Sequence, residues 1–96
     1  MRVYNIVNTS ENTCACDSWL DHWKKFSRQS ASYCSVNGCY ERPEVGGHVQ
    51  KTGNFDKNWY IVPLCKGCNA KNGAYLDVND SIKFVSAKVD ETCGRA

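Results

Sequence analysis

The run Leu64-Cys65-Lys66-Gly67-Cys68-Asn69-Ala70-Lys71-Asn72-Gly73 takes its meaning from an earlier one, Cys34-Ser35-Val36-Asn37-Gly38-Cys39. Two close cysteine pairs a few tens of residues apart suit a tetrahedral zinc ion, because each pair wraps one edge of the ion while the chain between them forms a loop or hairpin. Cys34, Cys39, Cys65 and Cys68 are therefore read as the ligands of one structural Zn2+. The first pair has four intervening residues, the wide end of the usual range, and Asn37-Gly38 supplies the tight turn that such a span needs. The second pair has the usual two. Two disulfides or four ordinary buried thiols are the alternatives.

The chain has 96 residues, which bounds it to one small domain, 1–96, with a modest core and a need for some staple. Seven cysteines in that length are far above ordinary usage and pose the question whether they are bridges or ligands. The first residues carry no apolar run of signal-peptide length, and no stretch approaches a membrane span, so a reducing cytoplasmic setting, metal over disulfide and no membrane partner are expected. The formal net charge is only +2, with both signs interspersed, so nucleic-acid binding would need a local patch rather than bulk charge. Three Trp and five Tyr argue for a real core and against disorder.

Alternating Val3, Asn5 and Val7 suggest a short first strand. Asp17-Ser18 reads as an N-cap for an amphipathic helix over 19–28, with Trp19, Trp23 and Phe26 on one face. After the first cysteine pair, 44–50 reads as a strand with a weakened centre at Gly46-Gly47, where something approaches closely or the strand bulges. Trp59-Tyr60-Ile61-Val62-Pro63-Leu64 is the most β-prone run, so a hairpin is expected between the cysteine pairs. A short helix should open at Cys65 and close near Gly73. Residues 74–78 and 82–86 then read as two strands of a C-terminal β-hairpin joined at Asn79-Asp80. The fold class is α+β.

Knuckle, hairpin with a Gly47-His48-Val49 step, and a Leu64-Cys65-x-x-Cys68-Asn69 turn into a helix together resemble a treble-clef (ββα) zinc domain, and within that group the HNH (ββα-metal) endonucleases, over about residues 34–73. The resemblance implies that zinc holds the fold. It also implies that His48 stands at the general base, that Asn69 stands on the helix near a catalytic Mg2+ or Mn2+, and that DNA or RNA is the partner. Two positions depart from that pattern. Gly47 stands where a carboxylate or second His often ligates the ion, and Tyr60 stands where a middle Asn is expected, with Asn58 two residues early. The resemblance thus implies a degenerate catalytic motif. The whole chain also resembles a group of short bacterial proteins that share the Cys-x-Cys, Ser-Trp-Leu-x-x-Trp, Gly-x-His-Val and Trp-Tyr-Ile-x-Pro-Leu-Cys runs.

Cys14, Cys16 and Cys93 remain, with His22 as a possible fourth member of a second metal site; the alternative is a core-edge histidine beside three thiols. Lys66 and Lys71 are the candidate phosphate contacts, set against a reading as a solvated helix face. The leading function is a zinc-binding module of HNH-like ancestry that binds nucleic acid with lost or weak nuclease chemistry. An active metal-dependent endonuclease is one alternative. A protein-interaction or inhibitor domain, of the kind that small bacterial or phage genes encode, is the other.

Overall fold

The computed structural model describes residues 1–7, 9, 13–53 and 56–93. In chain order it has β1 (Arg2–Asn5), α1 (Trp19–Ser27), β2 (Val45–Lys51), β3 (Trp59–Leu64), α2 (Lys66–Asn69), β4 (Tyr75–Asp77) and β5 (Val85–Ser86), followed by a single 3-10 turn at Val89–Glu91. All five strands join one antiparallel sheet in the order β4-β1-β2-β3-β5. The expected hairpin is its centre, with β2 and β3 pairing residue for residue from Val45 opposite Leu64 to Gln50 opposite Trp59. There is no bulge in that register, so the paired glycines have another cause.

The cause is close approach on both faces. A Cβ on Gly46 would lie 2.4 Å from the backbone carbon of Trp19, so α1 rests directly on β2. A Cβ on Gly47 would lie 2.3 Å from a methyl of Leu64 and 3.0 Å from the side-chain oxygen of Asn69. Successive strand residues face opposite ways, so α1 covers one face of the sheet and α2 the other. On the α2 face, Val3, Val49, Val62, Leu64 and Leu76 pack with Cys34, Cys65 and Cys68. On the α1 face, Trp23, Ile61 and Val85 form a second, smaller cluster.

The C-terminal β-hairpin is corrected by the structure: β4 pairs with β1 and β5 with β3, at opposite edges of the sheet. Leu76 belongs to the core on one face and Val85 to the core on the other. The Asn79 side chain accepts from the Ser81 N–H at 2.8 Å, so the turn forms as read but leads across the end of the sheet.

The helix α1 begins where expected, with the Ser18 hydroxyl accepting from the Asp21 N–H at 3.0 Å. It ends with Arg28 in the left-handed region at φ 56°, its N–H bonded to the Lys24 carbonyl. Its buried residues are His22, Trp23 and Ser27. The expected aromatic face is thereby corrected, because Phe26 is exposed and instead lies against the His22 ring at 5.0 Å. Trp23 is fully buried and its indole N–H donates to the Lys83 carbonyl at 2.8 Å, so it anchors α1 to the sheet.

Candidate metal centres

The first cysteine pair is shaped by backbone bonds before any ion is considered. The Cys39 N–H donates to the Val36 carbonyl at 3.0 Å, closing a turn in which Gly38 adopts φ 78°. Both the N–H and the hydroxyl of Ser35 donate to the Pro63 carbonyl, at 3.0 and 2.6 Å, docking the turn on the end of β3. In the second pair, Cys65 leaves β3 and caps α2, its sulfur accepting from the Cys68 N–H at 3.3 Å.

The four ligand atoms of Cys34, Cys39, Cys65 and Cys68 lie within 4.8 Å of one another. Cys39 and Cys65 are 3.9 Å apart sulfur to sulfur, and Cys39 and Cys68 are 4.0 Å apart. A tetrahedral ion with metal–sulfur bonds of about 2.3 Å gives edges of about 3.8 Å, so the cluster has the size of a metal cage. Burial pushes the Cys34 and Cys68 thiols up. It pushes Cys65 up as well, but the Cys68 N–H and the neighbouring thiols outweigh burial and leave Cys65 below its ordinary value. Burial thus opposes charge on Cys34 and Cys68, and a bound cation would offset that cost.

The second group also assembles. The ligand atoms of Cys14, Cys16, His22 and Cys93 lie within 4.8 Å of one another, drawn from the loop before α1, from α1 itself and from the segment after the 3-10 turn. Burial pushes Cys14 up, and pushes Cys16 up to about 11 with help from Cys93. Burial acts in the same direction on Cys93, but His22 and the backbone of Ala15 and Cys16 outweigh it and bring Cys93 down to about 6. The seven cysteines are thiols rather than disulfides. The two groups stand on opposite faces of the sheet, one with α2 and one with α1.

His48 and Asn69 are not brought together. His48 is buried on the α1 face, its ring 4.6 Å from that of Trp19 and 6.2 Å from that of Trp59. Asn69 meets Gly47 on the other face. Burial, and then the nearby His22, bring His48 down to about 4, so it is neutral at ordinary pH. Its Nε2 has no partner among the described residues. Gly47 and Tyr60, the departures from the HNH pattern, have structural roles here: the first makes room for Leu64, and the second donates its hydroxyl to Asp56 at 2.5 Å.

Lys66 and Lys71 are both exposed, and Lys66 pairs with Glu44 at 3.4 Å. A groove is lined by Lys57, Asn58, Trp59, Ala87 and Lys88. It was not legible beforehand because Lys88 joins it from the far side of β5. Asn5 is the other residue the sequence pattern missed. It is buried in β1 and donates to the carbonyls of Asn69 and Lys71, each at 3.0 Å, holding the end of α2 beside the thiol cluster.

These features define a small α+β domain, one antiparallel sheet between two helices, with two Cys/His groups arranged to hold a metal ion. No protein-family profile, curated protein or solved structure matches the chain. Among the described residues, no helix is long and apolar enough to cross a membrane.

Proposed function

We propose that the chain is a zinc-stabilised, nucleic-acid-binding module of HNH-like ancestry, a treble clef whose nuclease chemistry has been given up. The observation that carries the reading is the Cys34, Cys39, Cys65 and Cys68 cluster between the central hairpin and α2. Four soft thiolates at tetrahedral spacing suit Zn2+, whereas Mg2+ needs oxygen ligands, and neither group contains a carboxylate. When bound, zinc supplies structure there and no open coordination position.

The separation of His48 from Asn69 weighs against the endonuclease alternative. A general base must reach a water beside the ion that stabilises the leaving oxygen, and these two side chains lie on opposite faces of β2. Binding without cleavage is favoured by the groove at Trp59, which is 39% exposed and flanked by Lys57 and Lys88 with no carboxylate in its lining. Stacking of a base on such a ring is worth about 1–3 kcal/mol, and the ammonium groups suit the adjoining phosphates. Lys66 and Lys71 lie at α2 and do not line this groove, and Lys66 shares its charge with Glu44.

Fluorescence anisotropy of the zinc-loaded chain with labelled single-stranded DNA, single-stranded RNA and duplex tests the reading. Salt-sensitive binding is expected, strongest to single strands, and Lys57→Gln with Lys88→Gln should lower the salt slope by about 1 per lysine. Absence of binding at low salt with zinc bound would overturn it. A protein partner is the second reading. It is favoured by Tyr33 and Tyr40, 58% and 78% exposed and in edge contact at 5.8 Å, beside a groove lined by Glu41, Arg42, Glu44 and Lys66, whose charges are of both signs.

A further inference from the structure

Four potential ligand atoms meet on the α1 face from three separate segments of the chain. Residues 13–18 contain no helix or strand, and the described residues after β5 contain only the 3-10 turn Val89–Glu91. Yet Cys14 and Cys16 from the first segment and Cys93 from the second converge on His22, with all four ligand atoms within 4.8 Å. The separation between His22 and Cys93 along the chain is 71 residues, so no local turn accounts for the meeting.

The state of the His22 ring narrows the chemistry. Its Nε2 lies 3.0 Å from the Ser86 carbonyl, an acceptor with no hydrogen to give, so a ring that ligates a metal would keep its proton on Nε2. Nδ1 then presents a bare lone pair, and it lies 3.3 Å from the Cys93 sulfur. A ring nitrogen aimed at thiols, with the opposite N–H held by a backbone carbonyl, is the arrangement by which proteins orient a metal-binding histidine. The ring is fully buried, wedged between Trp19 at 4.9 Å and Phe26 at 5.0 Å, so its direction is set by packing. For a tetrahedral ion with bonds of about 2.0 Å to nitrogen and about 2.3 Å to sulfur, the nitrogen–sulfur edge is about 3.5 Å.

We propose that Cys14, Cys16, His22 through Nδ1, and Cys93 form a second zinc site, of Cys3His type, that ties the loop before α1 and the segment after β5 to the helix. Soft sulfur and imidazole donors without any oxygen ligand select zinc over calcium or magnesium. The site closes the α1 face as the four-cysteine cluster closes the α2 face. Through Ser86 it also reaches β5, so the ion couples α1 to the edge of the sheet. The proposal does not depend on what the protein binds.

The test uses the full chain purified in zinc. Native mass spectrometry should find two zinc ions per chain, and zinc X-ray absorption should show a mean first shell of about three and a half sulfurs and half a nitrogen. Long-range nitrogen–proton NMR should place the His22 proton on Nε2 and the metal shift on Nδ1. His22→Ala should hold one zinc with an all-sulfur shell. If that variant fails to fold, the measurements on the unsubstituted chain still decide. One zinc per chain, with Cys14, Cys16 and Cys93 alkylated promptly while the other four thiols are protected, would overturn the proposal. So would two zinc ions with sulfur ligands only, or a disulfide among these three cysteines in the zinc-loaded protein.

Discussion

The side-chain amide of Asn5 donates to the backbone carbonyl of Asn69 at 3.0 Å, bridging the first strand and the second cysteine pair across most of the chain. The same amide reaches the Lys71 carbonyl at 3.0 Å and the Cys68 carbonyl at 3.4 Å. Helix α2 has only four residues, and the last carbonyls of so short a helix have few partners of their own. Replacing Asn5 by Ala takes this donor from the Asn69 carbonyl, while the Cys68 and Lys71 carbonyls keep the N–H groups of Lys71 and Ala74. The expected cost is about 1–3 kcal/mol, the range for one buried group left unpaired. Asn5→Asp should cost more, because it removes both donors and turns a negative oxygen toward carbonyl oxygens. Urea unfolding of the metal-loaded variants checks both, and equal stability of Asn5→Asp and the unsubstituted chain would refute the role.

The two adjacent glycines in β2 make a graded prediction. A methyl on Gly46 meets the Trp19 backbone at 2.4 Å, and a helix backbone cannot step aside without lifting α1 and Trp23 from the sheet. A methyl on Gly47 meets the end of the Leu64 side chain at 2.3 Å, which can rotate but is fully buried. Overpacking of this kind costs about 1–3 kcal/mol or more. Gly46→Ala should fall at or above the top of that range and Gly47→Ala inside it, measured as midpoints of chemical unfolding. The reverse order would mean that α1 yields more easily than the Leu64 core.

Which parts of this arrangement could be read from sequence follows from how local their causes are. The run 59–64 forms its strand where expected because bulky β-prone side chains need no distant information, and Ser18 marks the start of α1 because its cap bond spans three residues. The four-cysteine cluster was legible for the same reason, since each pair is a short turn. Asn5 was not, since a polar residue in a short alternating strand shows nothing of a contact made 64 residues away. The turn at Asn79 was legible but not its outcome, because the same Asx turn serves a hairpin or a crossing, and the pairing of β4 with β1 and of β5 with β3 is made far from the turn. Close approach at Gly46-Gly47 was readable, though not which elements approach. With those elements known, the same two glycines put His48 and Asn69 on opposite sides.

His48 gives the fold a dependence on pH whose sign can be worked out. The unfolded chain takes up a proton near 6.5, whereas the folded chain does so only near about 4, first because of burial and second because of His22. Above the higher value both states are neutral and the contribution to stability is complete. As pH falls between the two, only the unfolded state binds the proton, so stability is lost, by up to about 3 kcal/mol across the window. His48→Leu should remove this part of the slope. It should also be neutral or slightly stabilising at neutral pH, because it removes a buried nitrogen that has no partner among the described residues. Imidazole carbon shifts that report a half-charged His48 near its ordinary value would contradict the burial argument directly.

Removal of metal from the four-cysteine cluster should unfold the α2 side of the sheet, since Cys34, Cys65 and Cys68 are part of the core that contains Val3, Val49 and Val62. Without a cation, burial opposes any charge on Cys34 and Cys68, and the cluster would have to open or stay protonated. Cys65→Ser should be the more damaging variant, because it removes a ligand, the acceptor of the Cys68 N–H and the cap of α2 together. Cys39→Ser removes a half-buried ligand from a turn that the Val36 carbonyl also holds. Both should release one metal ion per chain, but only Cys65→Ser should abolish cooperative unfolding as followed by tryptophan fluorescence. Cooperative unfolding of the metal-free chain at the midpoint of the metal-loaded one would show that these thiols pack the core unaided and that the ion is not what closes it.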